Sequence, residues 1–258
     1  MSSVIRNRAL SERQGAGLQF PTMINPFARK DKENAVRSMG RVPPGQSLTE
    51  KFPVLHYGDV PRYDMSKWDF RITGEVEEPK RYTWEEFLQL PMRKITMDIH
   101  CVTRWSKFDT EWEGVWLPDL IQQGIIKLKP AARYVIERCE NGFTTNLDLA
   151  HFMKPTTLLA VRYNGEPLDP DHGYPLRVVV GALKENAQDP DTRYFWKGGK
   201  WVRALEFTQT DRPGFWEQAG YHNIARVWPE ERFEGQWMQL DPEDSPSRRP
   251  TRRPLRFV

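Results

Sequence analysis

An α+β fold, with several mixed β-sheets and only short helices, is what this sequence predicts, and three observations predict it. Segments in which apolar and polar residues alternate recur along the chain, which is the period of a half-buried strand. Helical signals are few, and each is short. No strand–helix–strand unit repeats, so a doubly wound parallel sheet is not indicated. The 21 prolines among 258 residues agree, since they punctuate the chain with turns and interrupt any long helix.

The elements follow in order. Residues 1–50 are polar, charged and without clear period, and read as an extension that wraps the domain or is partly disordered. Order is expected from residue 51. In KWDFRITGEV, Trp68, Phe70 and Ile72 alternate with Asp69, Arg71 and Thr73, predicting a half-buried strand. YTWEEFLQLP offers Thr83 as N-cap with Glu86 three residues on, a capping box, and Pro91 closes that short helix. KITMDIHC is a strand with Ile95, Met97 and Ile99 on one face, and it delivers Cys101 at its end, where loops and sites begin. VWLPDLIQQG reads as a helix with Pro118 in its first turn and Gly124 past its end. ARYVIERC and FTTNLDL flank Asn141-Gly142, predicting a tight reversal, and a second Asn-Gly pair, Asn164-Gly165, follows the apolar strand TTLLAVRY. HGYPLRVVV and KWVRALEFTQT are strand-like. From residue 236 the chain is Pro/Arg-rich without apolar periodicity, a tail rather than a second domain.

Composition excludes several classes. A net charge of +3 gives no support for a nucleic-acid partner, although the terminal SPSRRPTRRPLRFV carries five arginines and no acid. That run could meet an acidic partner; a solvated tail explains it equally. No apolar run approaches the ~20 residues that span a bilayer. The first twenty residues lack the apolar core of a secretory signal and a tandem arginine pair, so the expected location is cytoplasmic. With only Cys101 and Cys139, a disulfide framework is excluded as a folding strategy, and no CxxC marks a zinc site.

Residues that could carry chemistry begin with Cys101. His100 and Arg104 flank it, and positive neighbours favour the thiolate, the form that attacks as a nucleophile or binds a soft metal. A small buried core cysteine and a Cys/His hydrolase, with His100, His151, His172 or His222 as base, stay open. His100 sits adjacent on a strand and points to the opposite face. In DHGYPLRVVV, Arg177 could reach the same side as His172 and fork onto an anion, although a turn histidine beside an edge-strand arginine is the plainer reading. YFWKGGKW joins large aromatics to Gly198 and Gly199, whose lack of a Cβ lets backbone N–H groups approach a ligand, with Lys200 at hand for an anion. A hairpin turn is the plainer reading of that motif.

Taken together, HCVTRWS (100–106), WEGVWLPDLI (112–121), LLAVRYNGEPLDPDHGYPLRVVV (158–180), KWVRALEF (200–207) and GFWEQAGYH (214–222) resemble, in order, the molybdopterin-binding domain of the sulfite oxidase family. The likeness runs from about 52 to 230. It implies a molybdopterin-binding oxidoreductase domain over 51–235, with a molybdenum–molybdopterin cofactor and Cys101 as the protein ligand to the metal. It implies that His172, Arg177, Gly198, Gly199 and Lys200 hold the pterin and its phosphate, and that His56 and Tyr57 in the HYG segment touch it. Cys139, Thr144 and Thr145 are further candidates beside the cofactor. Arg104 is expected to draw an oxyanion toward the metal, or else to pair with Asp109 or Glu111.

Three departures from the family bear on the substrate. Too little chain follows Tyr221 for the immunoglobulin-like dimerisation domain, and no haem domain is present, so electrons are expected to pass to or from a separate partner. GALKENAQDPDTRYFWK is longer than the usual link to the lysine-bearing turn and suggests a surface insertion or a lid. The first expectation is oxygen-atom transfer with sulfite or a similar small oxyanion as reductant. The second is the reverse direction, reduction of an S-oxide or N-oxide, as in the family's periplasmic reductase branch, which keeps a periplasmic location open. The third, from another class, is a binding protein that keeps the fold without catalysis.

Overall fold

A computed structural model of the chain describes residue 31 and residues 34–235. The arginine-rich tail expected from residue 236 lies outside the described residues. The predicted α+β architecture is present: two mixed sheets with a few short helices between their strands. Strands β1 (Ser47–Leu48), β4 (Met92–His100), β5 (Trp105–Val115), β8 (Thr157–Tyr163), β9 (Glu166–Pro167) and β10 (Arg177–Val180) build the first sheet. Its path is β1-β5-β8-β10, with β4 also on β5 and β9 on β8. The second sheet runs β3 (Lys80–Thr83), β2 (Asp69–Gly74), β11 (Val202–Thr208), β6 (Tyr134–Cys139), β7 (Thr144–Asp148). Pairing is antiparallel except for β1 with β5 and β2 with β11.

Strand alternation assigns the two faces of the first sheet to two cores. Leu159 and Val161 of β8, with Val178 and Val180 of β10, pack with Phe70, Ile72, Leu205 and Phe207 of the second sheet. Leu158 and Ala160, with Val179, turn the other way, toward Met97, Ile99, Trp112 and Phe195. A strand buried on both faces reads as a continuous apolar run, which is why TTLLAVRY shows no alternation. Helix α1 (Trp84–Phe87) carries the predicted capping box, with Thr83 and Glu86 each bonding the other's backbone. Helix α2 (Leu117–Gln122) has its proline in the first turn. Helices α3 (Leu149–Phe152) and α4 (Phe215–Gln218) come later in the chain. Asn164 and Gly165 are both at positive φ, the twist a two-residue hairpin requires between β8 and β9. Among the described residues no helix is long and apolar enough to cross a membrane.

Four features differ from expectation. Asp69, assigned to the solvent face of β2, is buried, because Arg71, Arg81 and Arg203 all bond its carboxylate. In β4 both faces are buried from Met97 to His100, where a bulge breaks the alternation. The stretch 181–197 is anchored on the domain: Ala187, Thr192 and Tyr194 are buried and Asp189 and Asp191 pair with Lys154, while residues 184–186 stay at the surface. Finally, the packed domain begins near Arg41 rather than at 51. Arg41 is buried on Asp98, Gln46 is buried beside Cys101, and β1 adds to β5. A segment held by one two-residue strand and single polar contacts leaves no periodic trace in sequence.

Candidate functional site

A cavity of about 130 Å³ opens between the Cys101 turn, the 52–57 segment and the turn before β11. Cys101 enters it because β4 ends there and the chain reverses at once: Arg104 N–H donates to the Cys101 carbonyl at 3.0 Å, and Cys101 N–H donates to Trp105 at 2.8 Å. The thiol is 7% exposed and lies 3.1 Å from the Thr103 hydroxyl. Burial pushes it up from its ordinary value, with Thr103 opposing. Cys101 and Cys139 are both free thiols. Arg104 stands at φ 74°, is exposed, and is absent from the cavity lining. Asp109, its expected partner, bonds Arg41 instead. Arg104 thus stands on the solvent side of the turn, outside the cavity.

The cations of the cavity come from elsewhere. Arg177, at the start of β10, is 1% exposed. It donates to the carbonyls of Val178 and His172, and its guanidinium lies 4.3 Å over the Phe195 ring. Burial lowers its proton affinity to about 9, and no carboxylate pairs with it among the described residues. His172 stacks on Phe52 with ring centroids 3.9 Å apart, and its Nδ1 is buried without a partner. Burial first, then Lys200 and Arg177, lower it to about 4. Lys200 donates to the Asp171 carbonyl at 2.6 Å and is lowered to about 7 by burial and by Arg177. Arg177, Lys200 and His172 thus form a basic cluster whose members burial holds below their ordinary proton affinities, with His172 neutral at ordinary pH.

The glycine pair is required by close packing. A Cβ on Gly198 would lie 2.4 Å from the Val178 carbonyl oxygen, and one on Gly199 would lie 2.5 Å from Cys139 Sγ. Gly199 N–H donates at 2.6 Å to Glu137, a fully buried carboxyl that burial pushes up to about 8. His56 and Tyr57 line the cavity, His56 edge-on to Trp201 and Tyr57 against Phe215. Cys139 sits behind Gly199 rather than in the lining. Thr144 is not in the lining either; its carbonyl faces Gly214, and its neighbour Thr145 donates to Glu217.

Sequence reasoning passed over the walls. Phe52, Trp105, Phe143, Phe195, Trp196, Trp201, Trp216 and Tyr221 all line the cavity. Behind Trp196 and Trp216, Lys197 and Glu217 form a buried pair, with Lys197 also donating to Asn146 and to the Asn223 carbonyl. The abundance of tryptophan was the available signal, but a large aromatic in sequence reads first as core. Among the described residues no cluster of three or more His, Cys, Asp or Glu stands together.

Comparison with known proteins adds the following. Residues 57–216 match the family model of the oxidoreductase molybdopterin binding domain. The chain is 46% identical over 195 residues to the uncharacterized oxidoreductase YuiH of Bacillus subtilis, covering 75% of this chain and 92% of that one. It is 27% identical to a putative protein-methionine-sulfoxide reductase subunit of Azospira oryzae, covering 69% of this chain and 64% of that protein. It is also 27% identical to a sulfite oxidase of Arabidopsis thaliana, covering 74% of this chain and 56% of that protein. Among solved structures, the sulfane dehydrogenase SoxCD from Paracoccus pantotrophus superposes with a TM-score of 0.51 at 19% identity, over 78% of this chain and 57% of that one, a likeness of fold.

Proposed function

Since the chain belongs to the sulfite-oxidase family of molybdopterin-binding oxidoreductase domains, we propose that it binds a molybdenum–molybdopterin group with Cys101 as the metal's protein ligand and catalyses oxygen-atom transfer. The observation that carries this reading is the buried Arg177, which has no carboxylate partner among the described residues, facing one cavity with Cys101, His172, Lys200 and the glycine turn. The residues fit the group. Arg177 and Lys200 would take its phosphate, and the N–H groups of the Gly198–Gly199 turn can come close because no Cβ intervenes. His172, braced on Phe52, would offer its bare Nδ1 to the pterin edge. Cys101 would add a single soft thiolate, and its burial keeps water from competing. When bound, the group supplies the two-electron chemistry; the chain supplies ligand, orientation and exclusion of water.

Reduction of a neutral S-oxide is the favoured direction. The cation expected to draw an oxyanion, Arg104, is outside the lining, and the remaining cations are engaged with the pterin and phosphate. Beside Cys101 the walls are instead Val102, Trp105, Trp196 and Tyr221. Aromatic and aliphatic walls suit a thioether and its oxide better than sulfite, whose charge they would leave unsolvated. A relative of the same family is a protein-methionine-sulfoxide reductase catalytic subunit of Campylobacter jejuni, 28% identical over 178 residues. Electrons would arrive from a separate partner.

The experiment is expression in a host that makes the cofactor, with molybdenum and pterin measured per chain. About one of each is expected; their absence sinks the proposal. Sulfoxide-dependent oxidation of a reduced dye should then exceed sulfite-dependent reduction of an acceptor, and the opposite ranking would restore sulfite. Cys101→Ser should abolish turnover while the chain remains folded.

A further inference from the structure

We infer that Gln46 and Arg232, which lie on opposite sides of the family-model range 57–216, are positioning residues that together fix the backbone of the Cys101 turn and thereby aim its thiolate. This rests on the reading of Cys101 as the metal ligand.

The turn is gripped at successive carbonyls. Gln46, 2% exposed, donates its amide Nε2 to the Cys101 carbonyl at 3.1 Å. Its other end is fixed too: Ser106 Oγ donates to Gln46 Oε1 at 3.4 Å and sits 2.8 Å from His100 Nδ1. His100, Ser106 and Gln46 thus form one buried chain, which sets the amide so that its N–H₂ faces Cys101. Arg232, 3% exposed, donates Nη1 to the Val102 carbonyl, and its guanidinium lies 5.0 Å over the Tyr194 ring. One residue from Gln46, Ser47 N–H donates to the Arg104 carbonyl at 3.0 Å. The carbonyls of residues 101, 102 and 104 are therefore all held from segments outside the family-model range.

The two grips also bear on each other. Gly45 stands at φ +64°, a conformation glycine takes readily, and a Cβ there would lie 2.4 Å from Glu230 Oε1 and 3.4 Å from Arg232 Nη2. Glu230 in turn accepts from Arg232 at 3.3 Å.

The turn needs such support. Arg104 is a non-glycine residue at φ 74°, a conformation that persists only where surrounding contacts over-determine it. A metal–thiolate bond reports the direction of Cβ–Sγ, and groups that orient a ligand tune the metal without touching it. Neither residue belongs to the cavity lining, so neither contacts substrate directly.

The test uses the full-length holoenzyme. Gln46→Met removes the donor at similar size, and Arg232→Gln removes the fork; Gln46→Asn, which keeps an amide donor on a shorter arm, and Arg232→Lys are milder partners. Four quantities are read: molybdenum per chain, the thiolate-to-metal absorption band, the Mo(VI)/Mo(V) midpoint potential and the melting temperature. The band is identified by its loss in Cys101→Ser. Gln46→Met and Arg232→Gln are expected to retain molybdenum, shift band and potential, and lower kcat by roughly 10- to 100-fold with KM unchanged. Arg232→Lys should recover part of the shift. If band and potential stay at wild-type positions while only the melting temperature falls, the residues are merely structural and the inference is overturned. Should a stronger variant fail to fold, the milder one at that position carries the same comparison. If wild type shows no band that Cys101→Ser removes, the assignment of Cys101 as ligand fails, and this inference falls with it for that separate reason.

Discussion

Gly198 is a position where one hydrogen atom stands between fit and clash. Its Cα lies so near β10 that a methyl group would reach 2.4 Å from the Val178 oxygen and 2.8 Å from the Val178 carbonyl carbon. Both are backbone atoms of a strand buried on either face, so neither can swing aside. Gly198→Ala must push the turn away from β10 and, with it, move Lys200 and Arg177 apart. Forcing extra volume into a packed site costs about 1–3 kcal/mol. Chemical denaturation of Gly198→Ala should show a loss in that range together with reduced pterin content; a variant with wild-type stability would show that the turn is free to shift. At Gly199 the neighbours are side chains, Cys139 Sγ and Glu137 Oε2, so the same substitution should be milder.

At the scale of elements, the segment from Arg41 to Thr49 is held at its root by Arg41. Its guanidinium bonds both Asp98 oxygens, at 2.9 and 2.6 Å, and reaches Asp109 at 2.8 Å. Asp98 is 1% exposed, and removing its partner leaves a carboxylate without an ion pair in a buried place. Breaking such a pair from one side costs about 3–5 kcal/mol. Arg41→Met should lower stability by about that amount in urea titration; a change below about 1 kcal/mol, the range of an exposed pair, would mean the strap is not anchored there. This element was the least legible in the sequence. Where structure depends on neighbours within a few residues, it could be read: the Thr83–Glu86 box, the alternation around Phe70 and the Asn164-Gly165 reversal. The glycine, His172 and Arg177 segments stood out only through the family resemblance. Arg41 and Gln46 take their roles from Asp98 and Cys101, more than fifty positions away, and no local pattern announces that. Arg104 misled for the converse reason. Its proximity to Cys101 in sequence implied proximity in space, yet at positive φ it stands outside the cavity lining.

For the whole molecule, buried ionisable groups make stability depend on pH in opposing directions. His151 is 1% exposed, and burial lowers it despite its bond to Asp191, so stability falls as pH drops below its ordinary 6.5. Burial would raise Asp69, but hydrogen bonds from Arg81, Arg203 and Arg71 outweigh it and hold the carboxyl low, so its contribution is lost in more acid solution still. Glu137 acts the other way. Burial raises it to about 8 against the Gly199 N–H bond that favours the ion, while its Oε1 has no partner. Folded, it holds a proton that the unfolded chain releases near 4.5, so ionising it costs stability as pH climbs from about 4.5 to about 8. Glu137→Gln keeps the acceptor for Gly199 and removes the ionisation. Its stability relative to wild type should therefore rise across that window, by at most about 1.4 kcal/mol per pH unit, and level off above it. Denaturant midpoints of both proteins at several pH values between 5 and 9 would show the widening gap. Parallel curves would mean that Glu137 is ionised in the folded protein throughout, held so by Lys197 and Arg177, the two cations nearest to it in effect.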